Sequence, residues 1–105
     1  MAKLKADLDL HKLEIFSWVA EHKSFSQAAE LLSLRQPTIS AHVQELEAAV
    51  GGKLLYRIPG KVSLTPLGLM LVERAKHLLT FKRETVAAVE QFHASPDRLL
   101  NLEVA

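Results

Sequence analysis

Two short helical patterns follow one another within Ser24–Leu46, and the three residues SLR that join them are too few for a structured loop. The second pattern opens with Gln36-Pro37-Thr38. Its apolar residues recur three and four apart, as on one buried helix face: Ile39, Val43, Leu46 and Val50. The opposite face carries small hydrogen-bonding side chains: Ser40, His42 and Gln44. This segment is predicted to set two short helices against a core while one polar face stays in solvent.

The flanking residues predict further elements. In order, the predicted elements are a helix from Asp9 to about His22, a helix from Ser26 to Leu32, a helix from about Gln36 to Val50, strands at Leu54–Tyr56 and Lys61–Leu64 around a turn at Ile58-Pro59-Gly60, and a helix from Thr65-Pro66 to about Phe92. Asp7 or Asp9, Ser26 and Thr65 provide capping oxygens, and Gly51-Gly52 ends the third helix. The predicted fold is mostly α: a winged helix–turn–helix of three helices and a two-stranded wing, followed by a long helix.

Composition excludes several classes of protein. A length of 105 residues with 49% hydrophobic residues allows one small domain. No apolar run approaches the ~20 residues of a membrane span, and the N-terminus lacks a signal-peptide pattern, so we expect a cytoplasmic location. The absence of cysteine excludes disulfides and thiolate metal sites. The five histidines include no pair three or four residues apart, so neither a metal nor a cofactor is expected in this segment. Without a nucleophile elbow or a phosphate-binding loop, we expect no enzyme.

The polar face of the third helix suits the edges of DNA bases, because amide, hydroxyl and imidazole groups can exchange hydrogen bonds with them. The net charge of +1 gives weak support, since phosphate neutralisation supplies much of the affinity for DNA. Between Leu31 and Pro66, however, four basic residues stand against Glu45 and Glu47: Arg35, Lys53, Arg57 and Lys61. The alternative is scattered surface charge that only keeps a small domain in solution.

Short motifs along the chain match one known family in residue type and spacing. They are Ser24-Phe25-Ser26, Ala28-Ala29, Gln36-Pro37-Thr38-Ile39-Ser40, Leu46-Glu47, Gly51, Leu54, Arg57 and Leu64-Thr65-Pro66-Leu67-Gly68. From Leu8 to Phe92 the chain resembles the N-terminal DNA-binding region of LysR-type transcriptional regulators. The resemblance implies a homodimer on an inverted repeat in double-stranded DNA, with the third helix in the major groove, the wing near the minor groove and the linker helices paired.

The resemblance also implies a division of the chain into three parts. Residues 1–65 are the predicted DNA-binding domain, 66–93 the linker or dimerisation helix, and 94–105 a hinge and the start of an effector domain, with Leu99–Ala105 as its first strand. We interpret the chain as a portion without that effector domain. In the family, the effector domain senses a small molecule, and RNA polymerase is a candidate partner of the full-length protein.

Helix faces and the resemblance together select the candidate DNA-binding residues. They are Ser26, Ser33, Arg35, Gln36, Pro37, Thr38, Ser40, Ala41, His42, Gln44, Arg57 and Lys61. Gln36 suits N6 and N7 of adenine, and Ala41 suits a thymine methyl group. The alternatives are a solvated amide for Gln36, a half-exposed surface imidazole for His42, and ordinary solvated charge for Arg57 and Lys61.

Several positions depart from the family's pattern. Arg35 stands where a serine cap is common, which leaves two alternatives: loss of a capping bond worth ~1 kcal/mol, or a contact of the arginine with a phosphate. Ala41 replaces a frequent arginine and removes a guanine contact worth roughly 1–3 kcal/mol. Lys61 is displaced by one position from the usual wing arginine, and Ser63 replaces a common basic residue. These departures predict weaker or differently specified binding by each subunit.

The last predicted helix is close to 40 Å long at ~1.5 Å per residue. Its apolar stripe either packs wholly on its own domain or forms a dimer seam. Because the helix projects beyond a small core, we favour the seam, and the predicted dimerisation residues are Leu71, Ala75, Leu78, Leu79, Val86, Val89 and Phe92.

A rival interpretation is a protein-interaction module in which the long helix is the functional part. Such a surface should be apolar and aromatic where this one is polar and small.

Overall fold

The structure is a computed structural model that describes Leu4, residues 6–59 and residues 61–95. Its elements are α1 (Leu10–His22), α2 (Phe25–Leu32), α3 (Gln36–Val50), β1 (Leu55–Ile58), β2 (Lys61–Leu64) and α4 (Pro66–Ala94). This order confirms the predicted winged helix–turn–helix with a long final helix. The predicted strand at Leu99–Ala105 lies outside the described residues. No helix in the described part of the chain is both long and apolar enough to cross a membrane.

Short polar side chains fix the starts of the first two helices. The Asp9 carboxylate accepts from the backbone N–H groups of His11 and Lys12 at 2.8 and 3.1 Å, which selects Asp9 over Asp7 as the cap of α1. The prediction of Ser26 as the cap of α2 was wrong. Ser24 has an extended backbone (φ −158°), and its hydroxyl accepts from Gln27 N–H at 3.0 Å, so the cap of α2 lies two residues earlier than predicted.

The third helix begins and ends as predicted. Arg35 precedes it in an extended conformation and makes no side-chain capping bond, and Pro37 lies in its first turn. Gly51 ends the helix at φ +83°, and its N–H donates to the carbonyl of Glu47 at 2.9 Å. Only glycine adopts this left-handed conformation without strain.

The wing is an antiparallel hairpin whose register runs from Leu55↔Leu64 to Ile58↔Lys61. Its first strand was predicted at Leu54–Tyr56 with Ile58 in the turn. The pairing of Ile58 with Lys61 instead makes Ile58 the last residue of β1, so the strand ends two residues later.

Thr65 joins the base of the wing to α4. Its hydroxyl donates to the Lys53 carbonyl at 2.7 Å and accepts from Gly68 N–H at 2.9 Å, so it caps α4 as predicted. Its own N–H donates to the Leu54 carbonyl at 3.0 Å. Because Thr65 is itself buried, these three bonds fix the angle at which α4 leaves the wing.

The core lies around α1, which packs against α2, α3 and the first half of α4. Its largest fully buried side chains are Phe16, Leu13, Ile15, Ile39, Leu46, Leu54, Val19 and Val43. Each such side chain contributes roughly 1.5–3 kcal/mol through burial. Trp18 packs at the edge of the core, whereas Leu10, the first residue of α1, is exposed.

Candidate nucleic-acid interface

The N-terminal half of α3 turns its polar face outward. Ile39 and Val43 are fully buried, whereas Ser40 and Ala41 between them point away from the core. The exposed or half-buried residues on this face are Gln36, Pro37, Thr38, Ser40, Ala41 and Gln44. Gln36, Pro37, Ala41 and Gln44 are exposed among the described residues, so these side chains are available to a partner.

Arg57 on the wing reaches across to this face. Its Nη1 donates to the Ser40 hydroxyl at 2.9 Å, and its guanidinium lies 4.1 Å from the centre of the Phe25 ring. These contacts join β1 to α3 and to the first residue of α2. Sequence reasoning placed Arg57 at the interface but did not detect its partners, which are far apart in the chain.

A groove of about 440 Å³ lies between the wing and the starts of α2 and α3. Its polar lining residues are Lys23, Ser24, Ser26, Gln36, Ser40, Arg57 and Lys61. Five of these are candidates predicted from the sequence: Ser26, Gln36, Ser40, Arg57 and Lys61. The N-terminus of α2 opens here, so its partial positive charge adds to that of the three cationic side chains. The groove is therefore suited to an anion.

Two candidates lie at helix ends instead. Ser33 ends α2 in a left-handed conformation (φ 55°), and its N–H donates to the Glu30 carbonyl at 3.2 Å. Arg35 is exposed immediately before α3. Both therefore flank the polar face of α3 rather than lying on it.

His42 is half-buried and faces α1. Its ring lies 5.6 Å from that of His11 in an edge-on arrangement, and its Nδ1 lies 3.3 Å from a carboxylate oxygen of Glu45. The same carboxylate oxygen lies 3.8 Å from the Lys12 ammonium. This placement agrees with the alternative of a half-exposed surface imidazole. Across the described residues, no group of three or more His, Asp or Glu side chains is arranged to hold a metal ion.

Glu47 has a structural role that the sequence reasoning missed. Its side chain is buried, and Oε2 accepts from the backbone N–H groups of Leu54 and Leu55 at 2.8 and 3.4 Å. The Lys53 ammonium lies 3.9 Å from its other oxygen. Glu47 follows Val43 by four residues, so its place on the buried face was a detectable signal. It fixes the wing to the end of α3.

The predicted dimerisation residues divide into two groups. Leu71, Ala75 and Leu79 are buried in the core of their own chain. Leu78, Val86 and Val89 are exposed, and Phe92 is half-buried beside His93. Met70 and Phe81, left out of the predicted set, are also exposed, with Phe81 at 70%. Leu78, Phe81, Thr85, Val89 and Phe92 recur three and four residues apart and form one face, which we call the outer stripe.

Three helices, a tight turn before an outward-facing third helix and a cationic wing beside it define a winged helix–turn–helix domain. A family model described as "Bacterial regulatory helix-turn-helix protein, lysR family" matches residues 10–69. The chain therefore belongs to the LysR family of regulatory proteins and corresponds to the DNA-binding domain of that family. Relatives in this family are transcriptional regulators.

Two curated relatives illustrate the match. The chain is 43% identical over 83 residues to the SDS degradation transcriptional activation protein of a Pseudomonas species, covering 79% of this chain and 27% of that protein. It is 42% identical over 79 residues to the transcriptional regulator CfxR of Cupriavidus necator, covering 75% of this chain and 25% of that protein. The chain thus spans about a quarter of the length of these relatives.

Solved structures agree with the fold. A complex of the BenM DNA-binding domain with catB site 1 DNA superimposes with a TM-score of 0.78 at 33% identity, covering 81% of this chain and 94% of that one. Oxidised OxyR of Corynebacterium glutamicum gives a TM-score of 0.77 at 33% identity, covering 81% of this chain and 28% of that one.

Proposed function

We propose that this chain binds an inverted repeat in duplex DNA as a homodimer, with α3 in the major groove and the wing against the backbone or minor groove. The observation that carries the proposal is the outward polar face of α3 beside the cationic groove. The BenM DNA-binding domain, which resembles this chain over 81% of its length, was solved with DNA. The cytoplasmic location expected from the sequence is part of the same proposal.

The start of α3 supplies the base contacts in this proposal. Gln36 is exposed at the first position of the helix, where its amide can donate to and accept from adenine. Ala41 is exposed nearby and offers a methyl group to thymine. A bidentate contact between the Gln36 amide and adenine discriminates against other bases by roughly 1–3 kcal/mol. Thr38 and Ser40 contribute hydroxyl groups to bases or phosphate.

The groove between wing and helices supplies the phosphate contacts. Arg57 and Lys61 line it on the side of the wing. Ser26 lines it on the side of α2, where the first N–H groups of that helix can donate to a phosphate. Contacts of this kind set the register of the protein on DNA but carry no sequence information directly. Loss of either cation should weaken binding to all sequences alike.

The outer stripe supplies the dimer contact. Phe81, Leu78 and Val89 expose apolar surface along the part of α4 that lies beyond its own core. A second copy presents the same stripe, as a two-fold interface requires. Paired helices would then present two copies of α3 about 34 Å apart, one duplex turn. Leu71, Ala75 and Leu79 support the position of α4 from within each chain.

Binding is tested by fluorescence anisotropy with duplexes selected from a random pool, titrated across a salt series. We expect affinity to fall steeply with salt, because binding releases counterions from neutralised phosphates. Gln36→Ala should relax preference at one base pair in each half-site, whereas Gln27→Ala, an exposed amide on α2, should change nothing. Absence of binding at low salt would instead support the protein-interaction module.

Dimerisation is tested by sedimentation at micromolar concentration. Phe81→Glu places a charge within the outer stripe and should give monomers. Thr80→Glu places the same charge on an exposed neighbouring position outside the stripe and should leave the dimer intact. A monomeric wild-type chain, or a dimeric Phe81→Glu variant, would contradict this arrangement. Three expectations from the resemblance stay predictions: an effector domain, a small molecule that it binds, and contacts with RNA polymerase.

A further inference from the structure

Arg57 is held on three sides before any partner binds. Its guanidinium lies over the Phe25 ring at 4.1 Å from the centre, its Nη1 donates to Ser40 at 2.9 Å, and its backbone belongs to β1, paired with Val62. An arginine at the surface of a hairpin normally samples many rotamers, and fixing one costs conformational entropy. Here that entropy is lost on folding rather than on binding.

Phe25 provides the rigid part of this arrangement. It is the first residue of α2, is only 8% exposed and belongs to the main core. Because its ring is packed from behind, the ring face toward Arg57 has a fixed position. The negative face of an aromatic ring attracts a guanidinium, and the planar cation can stack there.

The contact also sets the hydrogen-bonding role of Ser40. A hydroxyl group has one proton and two lone pairs. Because the Ser40 oxygen accepts from Arg57, the hydroxyl proton of Ser40 is free to be donated to a partner outside α3. Ser40 is therefore prepared for an acceptor, such as a phosphate oxygen or a purine N7.

We propose that Phe25 is a positioning residue for DNA binding, which holds Arg57 against Ser40 so that wing and α3 meet the duplex as one preformed surface. This inference rests on the proposed function but makes a separate claim. Phe25 itself, largely buried, acts on DNA only through Arg57. Removing the Phe25 ring should therefore lower the affinity for DNA only when residue 57 is an arginine.

The test is a double-mutant cycle of Phe25→Leu and Arg57→Lys, with duplex affinity measured by anisotropy. Both changes keep the charge of the chain, so the salt dependence should stay as in wild type. Each single variant should lose roughly threefold to tenfold in affinity, as expected for one cation–π contact. The double variant should lose little more than Arg57→Lys alone, since a lysine lacks the planar group that stacks on Phe25.

Phe16→Leu is the matched control, because Phe16 is fully buried in the same core but does not line the groove. It should lower the melting temperature without changing the affinity of the folded chain. Two results would overturn the proposal: wild-type affinity of Arg57→Lys, whose surface change leaves the core intact, or single losses that multiply in the double variant. Failure of the wild-type chain to bind any duplex would overturn the proposed function itself.

Discussion

Gly68 offers a sharp test of the junction between the wing and α4. It lies in the first turn of α4, where alanine would normally stabilise the helix by about 1 kcal/mol. A Cβ at this position would lie 2.1 Å from the Leu54 carbonyl oxygen and 3.0 Å from its carbon. Both are backbone atoms, and the same oxygen accepts from Thr65 N–H.

Gly68→Ala should therefore destabilise the chain despite the better helix propensity. Overpacking costs typically 1–3 kcal/mol, and shifting Leu54 also weakens a hydrogen bond worth about 1 kcal/mol. We expect a net loss of about 3 kcal/mol in the free energy of unfolding, since the clash outweighs the gain in helix propensity. Urea titration followed by circular dichroism, at one fixed protein concentration, measures this.

Two other glycines provide matched controls. Gly51 has open space around it but a φ of +83°, so Gly51→Ala should cost about 1 kcal/mol through backbone strain alone. A Cβ on Gly52 would meet only the tip of the Leu67 side chain, at 3.0 Å, so Gly52→Ala should stay within about 0.5 kcal/mol of wild type. A Gly68→Ala variant as stable as wild type would refute the close approach of α4 to the wing.

Three further predictions concern caps. Hydrogen bonding from the backbone N–H of Lys12 lowers the pKa of Asp9. The ionised Asp9 cap therefore stabilises the fold fully above the ordinary aspartate pKa, and this stabilisation is lost as pH falls through the lowered value. Melting temperatures of wild type should therefore fall relative to Asp9→Asn below about pH 4; parallel curves would contradict this. Ser24→Ala should cost ~1 kcal/mol in urea titrations and Ser26→Ala far less, whereas equal losses would restore Ser26 as the cap. Thr65→Val should cost about 2 kcal/mol by removing both side-chain bonds at the base of the wing, and Thr65→Ser, which keeps the hydroxyl, should lose much less.

The helices and their ends could be predicted because their causes are local. Thr65-Pro66 and Gly51 act on neighbouring backbone atoms, so the start of α4 and the end of α3 can be predicted from these residues alone. The error at Ser24 has the same local origin. Two serines two residues apart both fit a cap, and only the backbone angle at Ser24 distinguishes them.

The candidate site was predicted only as a list of residues. Arg57 was identified, but its contacts with Phe25 and Ser40 join three elements and leave no periodic trace in the sequence. The approach of His11 to His42 was missed for the same reason, since α1 and α3 bring together residues that are far apart in the chain.

The long helix shows a different limit. Its apolar residues were correctly placed in a helix, but periodicity does not show what covers each face. Leu71, Ala75 and Leu79 turn toward the core, whereas Leu78 and Phe81 turn away from it. The distinction depends on the angle at which α4 leaves the wing, which the hydrogen bonds of Thr65 determine.

Those bonds have a mechanical consequence. The Glu47 carboxylate holds the amide of Leu54, the carbonyl of Leu54 holds the amide of Thr65, and the hydroxyl of Thr65 holds the first turn of α4. A continuous chain of hydrogen bonds thus runs from α3 through the base of the wing to α4. A rotation of the C-terminal end of α4 should therefore be transmitted to the wing rather than absorbed at Thr65. Correlated slow amide exchange at Leu54 and Thr65 would show that this junction is rigid.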